Sequence, residues 1–275
     1  MACQPIPCNP PNPSSSSSSF SSQPVRYANG EVKMTITDLG SSGFGQVWGH
    51  TRSYSNQLTD QTGGANGNSW FIDEVPQLVQ VSLTEICFIS NIQEALWFDL
   101  DSGSWVPDFF VLDNLVEDTT NHQFVYTDTS GRKFKFFDFS TNHVAAKRGQ
   151  FKSFTDPYGA ETTATYGSDD RIASFLLTSG GSSSGYYYTY LASGDANAGK
   201  LQYVTLQVNA ANVRRCKYDY YGSSDSNGSL GDLKRVTTQE YISGSWVDVK
   251  AMLYRYYKAD ETNGFASALK FVLGP

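Results

Sequence analysis

The sequence predicts a mainly β protein made of antiparallel hairpins, and three observations lead there. Aromatic residues make up 14% of the 275 residues, with 17 Tyr and 17 Phe, types that favour pleated, half-buried surfaces. Short segments alternate apolar and polar residues and are separated by Gly, Ser, Asn and Asp, the period and punctuation of strands and turns. A Tyr-x-Tyr segment followed by a polar Gly-containing loop and a return strand recurs in the second half, as expected of stacked supersecondary units. Composition also excludes some functions. Lys plus Arg number 20 and Asp plus Glu 27, a formal net charge of -7, which disfavours an electrostatic nucleic-acid footprint. No apolar run approaches the roughly 18 residues of a membrane-spanning helix.

Residues 1–24 read as a disordered Pro/Ser-rich leader. Met1 to Ser22 hold one large aromatic, Phe20, and no charged side chain, too little apolar surface to offset the entropy of ordering. The leader lacks the basic start and apolar stretch of a secretory signal, so no signal peptide is expected. Cys3 and Cys8 could form half of a thiolate metal site, but Cys87 and Cys216 stand alone in the sequence, and no metal or other cofactor is expected.

Residues 25–149 are expected to form an N-terminal β domain. Val32, Met34 and Ile36 alternate with polar neighbours until Leu39-Gly-Ser-Ser-Gly-Phe-Gly45 breaks the run. Val79, Val81 and Leu83 repeat the pattern. Leu83 to Leu96 has some helical propensity, but Ile86, Phe88 and Ile89 favour a strand. Ala95–Leu100 and Ser104–Val106 form a hairpin about Asp101-Ser-Gly103, and Phe124–Thr127 pairs with Lys133–Phe137 about Ser130-Gly131.

Residues 150–275 hold the repeats. Tyr188-Thr-Tyr190 leads through Gly199 to Leu201–Val204. Tyr218-Asp-Tyr220 leads through Gly231 to Leu233–Val236, and Tyr254-Arg-Tyr256 through Gly264 to Leu269–Val272. A degenerate copy runs from Thr165-Tyr166 through Asp169–Ile172 to Ser174-Phe175. Such hairpins bury no face alone and must stack on neighbours. The chain closes on the alternating apolar segment Ala268–Pro275, which is expected to need a partner strand, as in a fragment of something longer.

These units resemble the tyrosine-aspartate repeats of the RHS/YD-repeat family, in which a Tyr-Asp strand is followed by a Gly turn and a Leu-containing return strand. The fullest match is Tyr218-Asp219-Tyr220 with Gly231-Asp-Leu-Lys-Arg-Val-Thr237. Asp156, Pro157 and Gly159 resemble the turn that opens such a unit, and Gly131-Arg132-Lys133 the turn of a preceding hairpin. Val25–Glu31 and Gly49–Asn56 resemble the segment that precedes the repeats. Family members usually carry many repeats, whereas about four occur here, with Gly222–Ser229 lengthening one turn. Ala160 stands where the self-cleavage motif of toxin-bearing relatives would have Leu. The resemblance implies hairpins stacked into a curved or cage-like sheet, exported or surface-displayed, which in longer relatives encloses a C-terminal effector. The implied partners are further repeats or an effector domain.

Little in the sequence suggests catalysis. His50, His122 and His143 have no nucleophile at a recognisable spacing, and there is no Gly-x-Ser-x-Gly elbow, His-Glu-x-x-His pair or phosphate loop. Asp169-Asp170 could supply a general acid and base, but adjacent strand residues face opposite sides. Arg214-Arg215 and Lys147-Arg148 read as solvated pairs, and Asn227-Gly-Ser229 is a formal glycosylation acceptor. Tyr188 and Tyr190 share a strand face with Tyr186, as do Tyr218 with Tyr220 and Tyr254 with Tyr256. Two readings of these rings stand: they staple one hairpin to the next, or they present a carbohydrate platform. The first points to a non-enzymatic structural part of a β-cage. The second points to a self-standing surface module for carbohydrate binding or adhesion.

Overall fold

The computed structural model describes residues 31–41, 48–56, 64–91, 94–179 and 181–274. The leader with Cys3 and Cys8, the Val25 segment up to Gly30, the glycines at 43 and 45, and Pro275 lie outside them. The described chain is β, with one short 3-10 turn at Ala145–Lys147, and strands four to nineteen follow one another as antiparallel neighbours in chain order. The chain divides into two compact units.

The first unit holds Asp73–Gly185. Its strands are β4 (Gln77–Ser82), β5 (Glu85–Asn91), β6 (Glu94–Asp101), β7 (Ser104–Pro107), β8 (Asn114–Asp118), β9 (Gln123–Thr127), β10 (Lys133–Phe137), β11 (Phe151–Thr155), β12 (Glu161–Tyr166) and β13 (Ile172–Ser179). Alternation sends one side chain in two inward, and here the inward residues are aromatic. Phe88 stacks on Tyr126 at 4.0 Å and meets Phe136 edge-on at 5.8 Å. Phe151 continues the file from Phe136 to Phe175 through edge contacts of 6.1 and 5.8 Å. Each such contact contributes about 0.5–1.5 kcal/mol beyond the burial of its area.

The alternating Val79-Val81-Leu83 stripe is not the buried one: Leu78 is buried, while Val81 and Leu83 are exposed, because β4 ends at Ser82 and Leu83 sits in the turn. Leu83–Leu96 is β, as expected, and supplies parts of β5 and β6. The compact units do not part at Gly149, because β10 pairs with β11 across it and the Leu78 N–H donates to the Gly149 carbonyl at 2.8 Å. A side chain on Gly149 would overlap that Leu78 carbonyl, so only glycine lets this segment close against β4.

The second unit holds Trp48–Ile72 and Tyr186–Pro275, together with β1 (Lys33–Ser41). β1, β2 (Trp48–Ser55) and β3 (Trp70–Ile72) form a small antiparallel sheet. β14 (Ser182–Tyr190) ends in this unit, followed by β15 (Leu201–Val208), β16 (Ala211–Tyr220), β17 (Leu233–Ile242), β18 (Ser245–Tyr256) and β19 (Leu269–Leu273). β1 runs on to Ser41, into the expected Leu39–Gly45 break, and carries a β-bulge just before it, the register shifting between Thr37 and Leu39 so that Asp38 is the extra residue. A bulge re-aims the side chain it carries, here that of Asp38.

Turn chemistry repeats through both units. The Oδ1 atom of Asp156 accepts from the N–H groups of Tyr158 and Ala160 at 2.9 and 2.8 Å, and Asp128 does the same for Ser130 and Arg132 at 2.9 Å each. The two-residue links Ser102-Gly103, Asn209-Ala210 and Ser243-Gly244 all have positive φ at both positions, the hairpin geometry that matches strand twist. Ala210, at φ +61, pays the steric cost of a Cβ in the left-handed region. Ala210→Gly is therefore expected to stabilise the chain by about 0.5–1 kcal/mol after the added flexibility of the unfolded state is discounted. The urea midpoint would report it; an unchanged or lowered midpoint would contradict the assigned turn.

Candidate functional site

The polar centre of the second unit is Arg52, on β2 and fully buried. Its Nε donates to Asp38 Oδ2 at 2.5 Å and its Nη2 donates to Asp38 Oδ1 at 2.9 Å, a two-point grip made possible by the bulge. Nη2 also donates to the Tyr254 hydroxyl at 2.9 Å, while the Tyr218 hydroxyl donates to Asp38 Oδ2 at 2.8 Å. Three rings surround the guanidinium, with Trp70 at 4.5 Å, Tyr254 at 5.4 Å and Tyr218 at 5.9 Å from its central carbon. Burial alone would favour a neutral side chain, but Asp38 and the tyrosines outweigh it and hold Arg52 charged.

His50 lies two residues before Arg52 on the same face and is also fully buried. Its Nε2 receives the Asn66 amide at 3.2 Å, which places the ring proton on Nδ1, 3.2 Å from the Tyr188 hydroxyl. Burial pushes its pKa down to about 4; Asp38 opposes the shift and Arg52 assists it. Cys216, also fully buried, directs its thiol at the Asp38 carbonyl at 3.5 Å. Burial, and then Asp38, push that thiol up to about 12, far from the low values that make a cysteine nucleophilic.

The tyrosines marked in the sequence meet this centre. Tyr188, Tyr218, Tyr220, Tyr254 and Tyr256 are buried, and Tyr190 is half-buried. The hydroxyls of the five buried ones are engaged by protein: besides the contacts above, Tyr220 donates to the Ala65 carbonyl at 3.1 Å and Tyr256 accepts from the Trp70 indole at 2.9 Å. Tyr186 likewise donates to the Trp48 carbonyl at 2.8 Å. The rings thus look onto β1–β3 and the segment around Ala65, while the opposite sheet face bears Arg215 between Tyr203 and Trp246 at 4.1 and 4.3 Å.

The turn residues are spread along the chain. Asp156, Pro157 and Gly159 form the β11–β12 turn described above, with Gly159 at φ +90. Gly199 and Gly231 close the β14–β15 and β16–β17 loops, their N–H groups donating to the carbonyls of Leu191 and Tyr221 at 3.0 and 3.2 Å. Gly264 sits against the face of the Tyr257 ring, where any side chain would overlap the ring. Asp169-Asp170 is a solvent-facing turn: Arg171 N–H bonds Asp169, and Asp170 pairs with Lys147 at 3.3 Å. His122 and His143 both lie 3.6 Å from Asp138 in the first unit.

Sequence reasoning missed Asp38, Arg52, Asn66, Asn68, Trp70 and Asp232, and weighed His50 only as a catalytic group. Asn68 donates to Asp232 Oδ1 at 2.9 Å and to the Leu230 carbonyl at 3.0 Å, fixing the β16–β17 loop. A usable signal existed in β2, where His50, Arg52 and Tyr54 alternate with small polar residues, so all three had to share one face. Among the described residues no group of three His, Cys, Asp or Glu side chains is placed to hold a metal ion.

This constellation can bind charge internally but offers no exposed nucleophile. Arg52→Ala would leave Asp38 buried and unpaired, and a loss of about 3–5 kcal/mol in unfolding free energy is expected; pairing it with Asp38→Asn should recover part of that loss. Additive losses in the two single variants and the double variant would show that the ion pair is not the source. For His50, the unfolded chain takes up a proton between roughly pH 6.5 and 4 that the folded chain refuses, so its contribution is whole above that window and shrinks as pH falls through it, by about 3 kcal/mol in order of magnitude. Urea midpoints at pH 7.5 and 4.5 should differ less in His50→Gln than in the parent chain. Equal differences would contradict a neutral imidazole.

No family model matches the chain, and no curated protein matches it significantly. Solved structures with a similar β architecture include the Photorhabdus luminescens Tc holotoxin pore, 12% identical with a TM-score of 0.44 over 88% of this chain and 14% of that one. The N-terminal domain of the effector protein SpvB from Salmonella typhimurium strain LT2 is 13% identical with a TM-score of 0.43, over 88% of this chain and 98% of that one. The chain thus spans about a seventh of the Tc toxin chain.

Proposed function

We propose that this chain is a non-enzymatic structural β module of the RHS/YD-repeat kind, a segment of a secreted or surface-displayed shell whose longer relatives enclose a C-terminal effector. The observation that carries the reading is the use made of the tyrosines. Residues that could face a ligand are turned onto β1–β3, and their hydroxyls bond Asp38, Arg52, Trp70 and backbone carbonyls within the same unit. Chemistry-bearing groups are thereby spent on fixing one hairpin to a cover, as a wall element requires. Stacking also fits: each repeat pairs with its sequence neighbours, as in repeat architectures. The partners on this reading are further hairpins or an effector domain of a longer chain.

The test sets this role against the carbohydrate module. Tyr188→Phe, Tyr220→Phe and Tyr256→Phe each remove a hydroxyl but keep the ring, and each is expected to lower stability by about 1 kcal/mol. The parent chain should show no signal on a glycan array and no turnover on a panel of glycoside and ester substrates. A glycan signal that falls in these variants would replace the structural reading with a binding one, and turnover abolished by a single substitution would replace it with an enzymatic one.

A further inference from the structure

The first unit carries a surface that the wall role does not use. The β7–β8 connection, Asp108-Phe-Phe-Val-Leu-Asp113, exposes three large apolar side chains within four consecutive residues: Phe109 is 68% exposed, Phe110 108% and Leu112 84%. Fully exposed Phe-Phe pairs cost solvation in the free protein. The loop is nonetheless held in place. Asp108 N–H donates to the Trp97 carbonyl at 2.8 Å, and Asp113 accepts from the Tyr126 hydroxyl at 2.9 Å and the Thr129 N–H at 3.0 Å. A tight turn links Val111 N–H to the Phe109 carbonyl, with Phe109 at φ +54. The rings therefore stand on a fixed base, which lowers the entropy lost on docking.

Strands β4–β8, which lead into and out of the loop, carry acids and no Lys or Arg; Arg132, from the β9–β10 turn, is held by Asp128. From Arg52 to Arg132 the sequence contains no intervening Lys or Arg. Glu85 and Asp99 lie directly opposite each other on β5 and β6, a like-charge pairing that weakens a sheet. Asp108 hydrogen-bonds Asp99, and burial followed by Asp99 raises the Asp108 carboxyl above its ordinary range. Asp101 and Glu117 are exposed nearby in sequence, and among the described residues none of these acids forms an ion pair with Lys, Arg or His. Repulsion retained beside an exposed apolar knob is relieved by a cationic partner with an apolar stripe.

We infer that the β7–β8 loop, with the acids of β5, β6 and Asp108, docks a cationic amphipathic segment of a partner polypeptide, its apolar stripe on Phe109, Phe110 and Leu112 and its Lys or Arg residues on Glu85, Asp99, Asp101 and Asp108. A negatively charged surface of this kind disfavours the anionic bilayers that attract basic proteins, so a polypeptide is the better complement. The inference is independent of the shell role.

The probe is a synthetic Leu/Lys amphipathic helix of about five turns, with a Leu/Glu counterpart, titrated against the whole chain by calorimetry. The Lys peptide should bind, weaken with added salt, and weaken by about tenfold or more both in Phe109→Ser/Phe110→Ser and in Asp99→Asn/Asp108→Asn; the Glu peptide should not bind. Because these side chains are exposed or partly so, unchanged circular dichroism and urea midpoints would confirm that the variants fold. Absence of binding overturns the inference, as does binding lost in the charge variant alone, which would mean unspecific attraction to acids. Cosedimentation with neutral phosphatidylcholine vesicles that needs Phe109 and Phe110, with peptide affinity unchanged by their loss, would overturn it in favour of a membrane contact.

Discussion

A guanidinium without access to water sets the terms for the second unit. Desolvating such a charge costs several kcal/mol even after relaxation, and the cost is met only if a carboxylate grips it and rings enclose it. Every part of that requirement comes from a different strand: Asp38 from β1, Trp70 from β3, Tyr218 from β16 and Tyr254 from β18. Residues 38 and 254 are remote in sequence, so the charge is satisfied only when the small sheet and the late hairpins are both in place. This makes Arg52 a device for specificity more than for stability. An apolar residue of similar volume could fill the space, but it would accept many packings where Arg52 accepts one.

The same logic explains why the bulge at Asp38 matters. In an unbroken β1 the residue between Thr37 and Leu39 would take its place in the alternation, and one slip would turn every later side chain over. The extra residue at 38 lets Leu39 stay buried while Asp38 reaches Arg52. His50 then completes the centre. As a neutral group beside a fixed cation it adds hydrogen bonds to Asn66 and Tyr188 without adding a second charge.

Local features of the fold were legible in the sequence. The hairpins at Asp101-Ser-Gly103 and Ser130-Gly131 and the Tyr-x-Tyr strands follow from alternation and turn chemistry, which act over a few residues. What could not be read was set by distant partners. At Gly149 the Leu78 carbonyl comes too close for any side chain, a contact that spacing does not reveal. Val81 and Leu83 looked like core because they alternate, but Leu78 holds the inward position. Arg52 shares a strand face with Tyr54, but residue type argued against burial, since Arg is almost always exposed, and Asp38 is not an evident partner from spacing alone.

The two faces of the tyrosine strands show why residue type underdetermines role. On β16, Tyr218 and Tyr220 point toward β1–β3, while Arg215 points the other way and lies between Tyr203 and Trp246. Both faces are aromatic, and only the cover decides which rings lose their water. Where a cover exists, hydroxyls turn inward and become cross-links that a ligand cannot compete for without unfolding the unit. Where none exists, as at Phe109 and Phe110, the apolar surface stays in water and only the turn beneath it is fixed. The covered rings cross-link the second unit, whereas the exposed knob of Phe109 and Phe110 adds nothing to the packing of the first, so its fixed base serves contact with a partner better than it serves stability.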